Sequence, residues 1–321
     1  MNGKRVSPLR DEIGSCDGCL RGLTLVEAIV AIAVLSLLMA LILPAIQAAR
    51  ESARLASCRS NLRQIGIAAG TYESTWGTFP LDYPQPMFRA LLPYVEARQF
   101  YDEIQAYYDA PMGTGVKPTT RSPDVYRCPS SRDSLHSYGV NSGAGVNSGD
   151  EYLELIPNGF CCVPVRQALR ASDISDGLSN TAAFSEVLQG IDPNESNKHE
   201  DPKRFSWGVS PQFSRPSSLA AVIQRCTEVP LQSELRGRIV AFGPPYGFER
   251  YLHFMPPNAR SCHEIIEEGW YTNFITTATS KHAGLVNVAF ADSHVRDIAN
   301  TINLDVWHAV GTRNGNEKVE F

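Results

Sequence analysis

The chain has 321 residues, 43% of them hydrophobic, which suits one large or two small folded domains and argues against disorder. Its formal net charge is −5, so no general basic field exists to gather nucleic acid, and with no DNA- or RNA-binding motif in sight no nucleic acid partner is expected. Eight cysteines, spread from Cys16 to Cys262, are many for a reducing compartment and point to an oxidising one.

The first segment carries Lys4, Arg5, Arg10 and Arg21 and a single C-x-x-C, Cys16 and Cys19. That pair could be half a zinc site or a redox pair, but no second C-x-x-C completes four ligands, so an incidental pair is the better reading. From Ala28 to Ala49 run 22 residues without a charge. As a helix they rise roughly 33 Å, enough to cross a hydrocarbon core of about 30 Å. A secretory signal is the first competitor, because basic residues precede the run and Ala45 and Ala48 close it, yet the run is long for a signal peptide. Leu55, Cys58, Leu62, Ile65, Ala69 and Tyr72 then continue at spacings of three and four, an apolar stripe that a discarded signal would not need. The pattern predicts one helix from about Thr24 to Trp76, stopped at Gly77, apolar all round in its first half and amphipathic in its second. Pro44 sits inside it and is expected to bend it, since proline removes one backbone hydrogen bond.

Glu27 is the charge that does not suit the edge of an apolar span. Two readings are compatible. Thr24-Leu25-Val26-Glu27 fits a capping box, in which Thr24 and Glu27 satisfy each other's backbone donors. Alternatively, cleavage after Gly22 creates a new amine at Leu23, and Glu27 pairs with such an amine on a neighbouring subunit. The segment Arg21-Gly22-Leu23-Thr24-Leu25-Val26-Glu27 resembles the prepilin-type cleavage and methylation motif of type IV pilins and type II secretion pseudopilins. The resemblance implies that Gly22 precedes the cut, Leu23 becomes an N-methylated terminus and Glu27 directs assembly. It also implies that Pro44 falls where family members often carry a helix-bending proline. Leu23 stands where phenylalanine is more frequent, and the 22-residue leader is long. Charge does not set the orientation, because Arg50, Arg54, Arg59 and Arg63 balance the basic residues ahead of the span. The family's topology places the leader, residues 1–22, in the cytoplasm, residues 23–49 in the inner membrane, and residues 50–321 outside it. The implied partners are a prepilin peptidase, the inner-membrane assembly machinery, the lipid bilayer, and self or other pilin-like subunits.

Further on, Phe88, Leu91, Leu92, Val95 and Phe100 suggest a shorter helix interrupted near Pro93. Beyond Pro111, short β-like runs dominate, among them 125–128, 181–188 and 285–291, separated by glycine, proline and asparagine. The expected class is therefore α+β, a pilin-like long helix packed on an antiparallel sheet with long loops. Gly139-Val-Asn-Ser-Gly143 recurs at 145–149 and reads as a turn-rich loop, and 190–257 reads as loops or an insertion. Asp292-Ser293 suggests a two-residue hairpin turn, and 303–310 a short helix ending at Gly311.

Four blocks, 58–66, 127–130, 173–181 and 282–292, look like a large group of bacterial prepilin-type proteins whose C-terminal domain has no known function. In that group the Asp292-Ser293 turn is usually Asp-Gly. Cys58 and Cys128 both lie in these blocks, and a bridge between them would fasten the helix to the sheet; a buried free thiol at Cys58 is the equal alternative. Cys161 and Cys162 are expected to pair with Cys226 and Cys262 rather than with each other. No H-E-x-x-H or cysteine-histidine cluster stands at zinc spacing, so neither a metal nor a cofactor is expected. Asp173, Asp176 and Asp292 could ligate calcium but read better as turn formers. Ser185, His282 and Asp292 could be drawn as a triad, but no G-x-S-x-G elbow supports it, and no enzyme is expected. A pilin- or pseudopilin-like structural subunit is the leading reading, and a membrane-tethered binding protein the alternative.

Overall fold

A computed structural model describes residues 24–81, 87–110, 122–131, 136–148, 153–156, 158–161, 168–188, 203, 206–209, 219–228, 250–265 and 271–317. Gly22, Leu23, Cys16, Cys19 and Cys162 lie outside them. The chain divides into two compact units, Met1–Arg50 and Glu51–Phe321.

Helix α1 runs from Leu25 to Trp76 and stays helical through Pro44. It opens on the predicted capping box: the Thr24 backbone N–H donates to Glu27 Oε2 at 2.9 Å, and the Glu27 N–H donates to Thr24 Oγ1 at 3.3 Å. It ends at Gly77, whose φ of +74° suits glycine and whose N–H donates to the Glu73 carbonyl at 2.7 Å. In the first unit its apolar side chains, from Leu25 to Ile46, are exposed. Among the described residues this is the one helix long and apolar enough to cross a membrane. Within the second unit Cys58, Leu62, Ile65, Ala68 and Ala69 are buried, with Leu55 and Tyr72 half-buried at the ends of the stripe.

After it come α2 (Met87–Leu91), a 3-10 turn over Leu92–Val95 that contains Pro93, and α3 (Arg98–Asp109), so the predicted break near Pro93 is present. The main sheet has five strands in the order β10-β9-β4-β1-β6: β1 is Tyr138–Asn141, β4 Ala182–Glu186, β6 Arg250–Tyr251, β9 Leu285–Phe290 and β10 Val295–Ala299. The class is α+β, with the long helix and the sheet in one core. The sheet is mixed rather than purely antiparallel, because edge strand β6 pairs in parallel with β1. Parallel neighbours need a long crossover, and the chain between β4 and β6 supplies one.

One face of the sheet packs Val140, Phe184 and Ala289 against Cys58, Leu62 and Ile65 of α1. The opposite face packs Val286, Val288 and Phe290 against Trp307 and Val310 of α5 (Leu304–Gly311), whose N-terminus Asn303 caps by accepting from the Asp305 and Val306 amides. Alternation along β9 thus serves two cores at once. α4 (Leu219–Glu228) and β5 (Ser206–Val209), from the stretch 190–257 read as loops or an insertion, join β7 (Ser261–Ile265) and β8 (Tyr271–Ile275), and a smaller core forms there. Cys226 pairs with Cys262 there, which overturns the pairing predicted for both with Cys161 and Cys162. The repeated Gly-Val-Asn-Ser copies are strands β1 and β2 (Gly145–Ser148), the latter paired with β3 (Leu153–Ile156), and residues 124–126 form a 3-10 turn rather than a strand.

The β9–β10 loop has three residues, Ala291-Asp292-Ser293, not two. The Ser293 amide donates to the Phe290 carbonyl at 2.8 Å, and the Phe290 amide to the His294 carbonyl at 2.9 Å, which leaves Ser293 in the left-handed position at φ +73°. Its Cα lies against the helix at Gly66, where a Cβ would stand 3.0 Å from it. Substituting Ser293 by glycine removes the strain of a left-handed serine and is expected to raise stability by about 1 kcal/mol, read as a higher urea midpoint.

Beneath α5, His253 is fully buried, with Nδ1 2.8 Å from the Trp307 carbonyl and Nε2 3.2 Å from the Tyr251 hydroxyl. A carbonyl only accepts, so Nδ1 donates and Nε2 accepts. Burial pushes the imidazole pKa down to about 3, against the partial help of the Trp307 hydrogen bond. The folded pKa is depressed, so unfolding takes up a proton: this group's stability is complete above the free-histidine value and is lost as pH falls towards about 3. The loss is ~1.4 kcal/mol per pH unit across that window. Urea midpoints from pH 7 to pH 4 should show that slope in the native chain and lack it in His253→Gln.

Candidate functional site

One joint between the helix and the sheet draws residues from several segments of the chain. On α1, Glu51, Cys58 and Leu62 recur at helical spacing and share a face, so residues from several distant segments can reach them together. The turn that follows the 3-10 helix Asp124–Tyr126 brings Cys128 to within a Cα separation of 5.1 Å of Cys58, and the two form a disulfide. Two hydrogen bonds hold the same turn against the helix. Asn61 Nδ2 donates to the Arg127 carbonyl at 3.0 Å, and Ser130 Oγ donates to Glu51 Oε1 at 3.0 Å.

His282, just before β9, points its buried ring into this joint. Its Nδ1 lies 2.9 Å from Glu51 Oε1 and its Nε2 3.2 Å from Glu186 Oε1, with Cys128 Sγ 3.6 Å from Nε2. Glu186, the last residue of β4, is 2% exposed. Its Oε2 accepts from both the backbone amide and the Nδ2 of Asn287 on β9, each at 2.9 Å, and Arg59 Nε of the helix donates to Asn287 Oδ1 at 3.4 Å. Arg59 also forms an ion pair with Asp297 of β10. A buried carboxylate costs free energy unless it is paired and hydrogen-bonded, and this one is both.

Electrostatics here favour charge separation. Burial works against an imidazolium at His282, but the hydrogen bonds and charges of Glu186 and Glu51 outweigh it and raise the pKa above that of a free histidine. Burial works against the Glu51 carboxylate, and the Ser130 hydroxyl, His282 and Arg54 outweigh that and lower its pKa. The ring therefore lies between two carboxylates, one on the helix and one on the sheet, and both favour its protonated form.

The blocks that build the joint, around 58–66, 127–130 and 282–292, span most of the chain, and a family model described as "Protein of unknown function (DUF1559)" matches residues 47–305. The chain belongs to the DUF1559 family. No curated protein and no solved structure matches it. The DUF1559 match begins just ahead of Glu51 and takes in every residue of the joint, whereas Arg21 to Glu27 lies before it.

Of the residues singled out in the sequence, Cys58 and Cys128 meet, and Glu27 caps its own helix. Gly22 and Leu23 lie outside the described residues. Ser185, His282 and Asp292 go to different partners: Ser185 Oγ donates to the Asn287 carbonyl, His282 binds the two glutamates, and Asp292 pairs with His294. The three aspartates act in turns. Asp173 accepts from the Arg170 amide, and Asp176 accepts from the amides of Gly315 and Asn316 and so holds that segment, which follows the matched region. Glu51 and Glu186 escaped notice. The available signal was a lone carboxylate in the apolar run 181–188, beside a lone asparagine in 285–291, since both demand a partner when buried.

Proposed function

We propose that the chain is a pilin- or pseudopilin-like structural subunit. The observation that carries this reading is the start of α1, where the reciprocal Thr24–Glu27 cap follows directly on Arg21-Gly22-Leu23 and opens a helix without a charge from Ala28 to Ala49. Its exposed apolar side chains need lipid or other helices around them. In this account a prepilin peptidase cuts after Gly22, and residues 23–49 rest in the inner membrane as a single pass, with the leader cytoplasmic and the DUF1559 domain outside. The assembly machinery then packs those helices, from self or other pilin-like subunits, into a type IV pilus or type II secretion-type filament. The disulfides Cys58–Cys128 and Cys226–Cys262 agree with an oxidising exterior. Such a subunit requires no cofactor and no catalytic group.

A membrane-tethered binding protein is the second reading, and one observation favours it: an open groove of about 640 Å³ between Arg63, Ile67 and Gly70 of the helix and the β9–β10 turn offers a ligand room. Crosslinking separates the two. A photoreactive residue at Val30 in cells should give a ladder of crosslinked subunits, and a signal confined to monomer would remove the subunit reading.

A further inference from the structure

The Cys58, Cys128, Glu186 and His282 donor atoms lie within 4.8 Å of one another, and all four residues are buried. Two of the donors are already aimed. Glu51 holds His282 Nδ1, so Nε2 is the nitrogen turned towards the sulfurs. Asn287 holds Glu186 Oε2 through two donors, which leaves Oε1 buried and turned towards His282 Nε2, 3.2 Å away, at the same point. An outer carboxylate that fixes a histidine and an amide that fixes a carboxylate are what a metal ligand set needs around it.

The distances agree with a tetrahedral centre. Bonds of about 2.0–2.1 Å to nitrogen and oxygen and about 2.3 Å to sulfur place tetrahedral neighbours about 3.3 Å apart for N and O and about 3.5 Å apart for N and S. The observed separations are 3.2 Å from Nε2 to Glu186 Oε1 and 3.6 Å from Nε2 to Cys128 Sγ. The two sulfurs, bonded to each other in the disulfide, would have to part.

We propose that this joint has two alternative cross-links: the Cys58–Cys128 disulfide when oxidised, and a zinc-class divalent cation held by Cys58, Cys128, Glu186 and His282 when reduced. A dithiol reductant breaks the S–S bond and leaves as its own disulfide, and two thiols form on the chain. The cation then takes the place of both thiol protons and of any proton on Nε2, so binding releases protons to solvent. A borderline-soft cation suits two thiolates, an imidazole and a carboxylate, whereas calcium or magnesium does not. The helix thereby stays fastened to the domain on either side of a redox boundary.

Cobalt(II) is the probe. Full-length protein in detergent, reduced with a water-soluble phosphine, should gain thiolate-to-cobalt charge-transfer and four-coordinate ligand-field bands. The Cys58→Ser/Cys128→Ser variant should lack this increment, which controls for the other cysteines, and the oxidised chain should lack it too. Glu186→Gln and His282→Gln should each weaken cobalt binding at least ~10-fold, as ligand losses do. A reduced native chain that gives no more signal than the double serine variant overturns the proposal, as does a Glu186→Gln chain that binds cobalt like the native one.

Discussion

Glu186→Ala is expected to destabilise the folded chain by about 3–5 kcal/mol, the cost of breaking a buried charged pair and leaving its partner behind. The carboxylate is 2% exposed, and its loss strands the Asn287 amide and side-chain donors and removes one partner of the His282 ring. Tyr138, the register partner of Glu186 on β1, is buried as well, so the stranded donors lie in the core. Glu186→Gln keeps the volume and one acceptor and should cost less, about 1–3 kcal/mol. Chemical unfolding of the full chain in detergent measures both. A loss under about 1 kcal/mol for the alanine variant would show that the helix and sheet do not depend on this joint.

At the other end of the helix, Glu27→Ala should leave cleavage after Gly22 intact and reduce filament yield on the order of 100-fold, since an unpaired charge at a packed, low-dielectric helix interface carries several kcal/mol. Glu27 has two roles to separate, because the structure gives it a cap and the assembly account gives it an amine to pair with. Glu27→Gln separates them. Glutamine serves in a capping box as glutamate does, but it carries no charge. Filaments lost in both variants assign the effect to pairing; normal filaments from Glu27→Gln would leave the capping box as the residue's role. The cap itself contributes only about 1 kcal/mol and does not decide whether so long a helix forms.

The long helix was legible because its signals are local: an uncharged run, a stripe at spacings of three and four, a capping box and a stopping glycine at Gly77. The same holds for α5, whose Asn303 cap and Gly311 end directly bracket its eight residues in the chain. Sheet order was not legible, since β6 joins β1 in parallel across a long excursion and nothing near either strand announces the other. The turn at Ser293 was half legible: the strain of a left-handed serine pointed to another turn type than the two-residue one, and the serine takes φ +73° in a three-residue loop beside Gly66. The joint was half legible. Cys58 and Cys128 stood out as a pair through resemblance, but Glu51, Glu186 and His282 come from three separate segments, so no spacing rule for metal or acid-base motifs could assemble them.

The DUF1559 domain and its apolar helix rest on the family match and the fold; assembly through that helix rests on how the chain is processed. N-terminal mass spectrometry of the protein purified from its native membranes tests this most directly. The account predicts a chain that begins at Leu23 with a methylated amine. An intact Met1, or a terminus near Ala49, would contradict it.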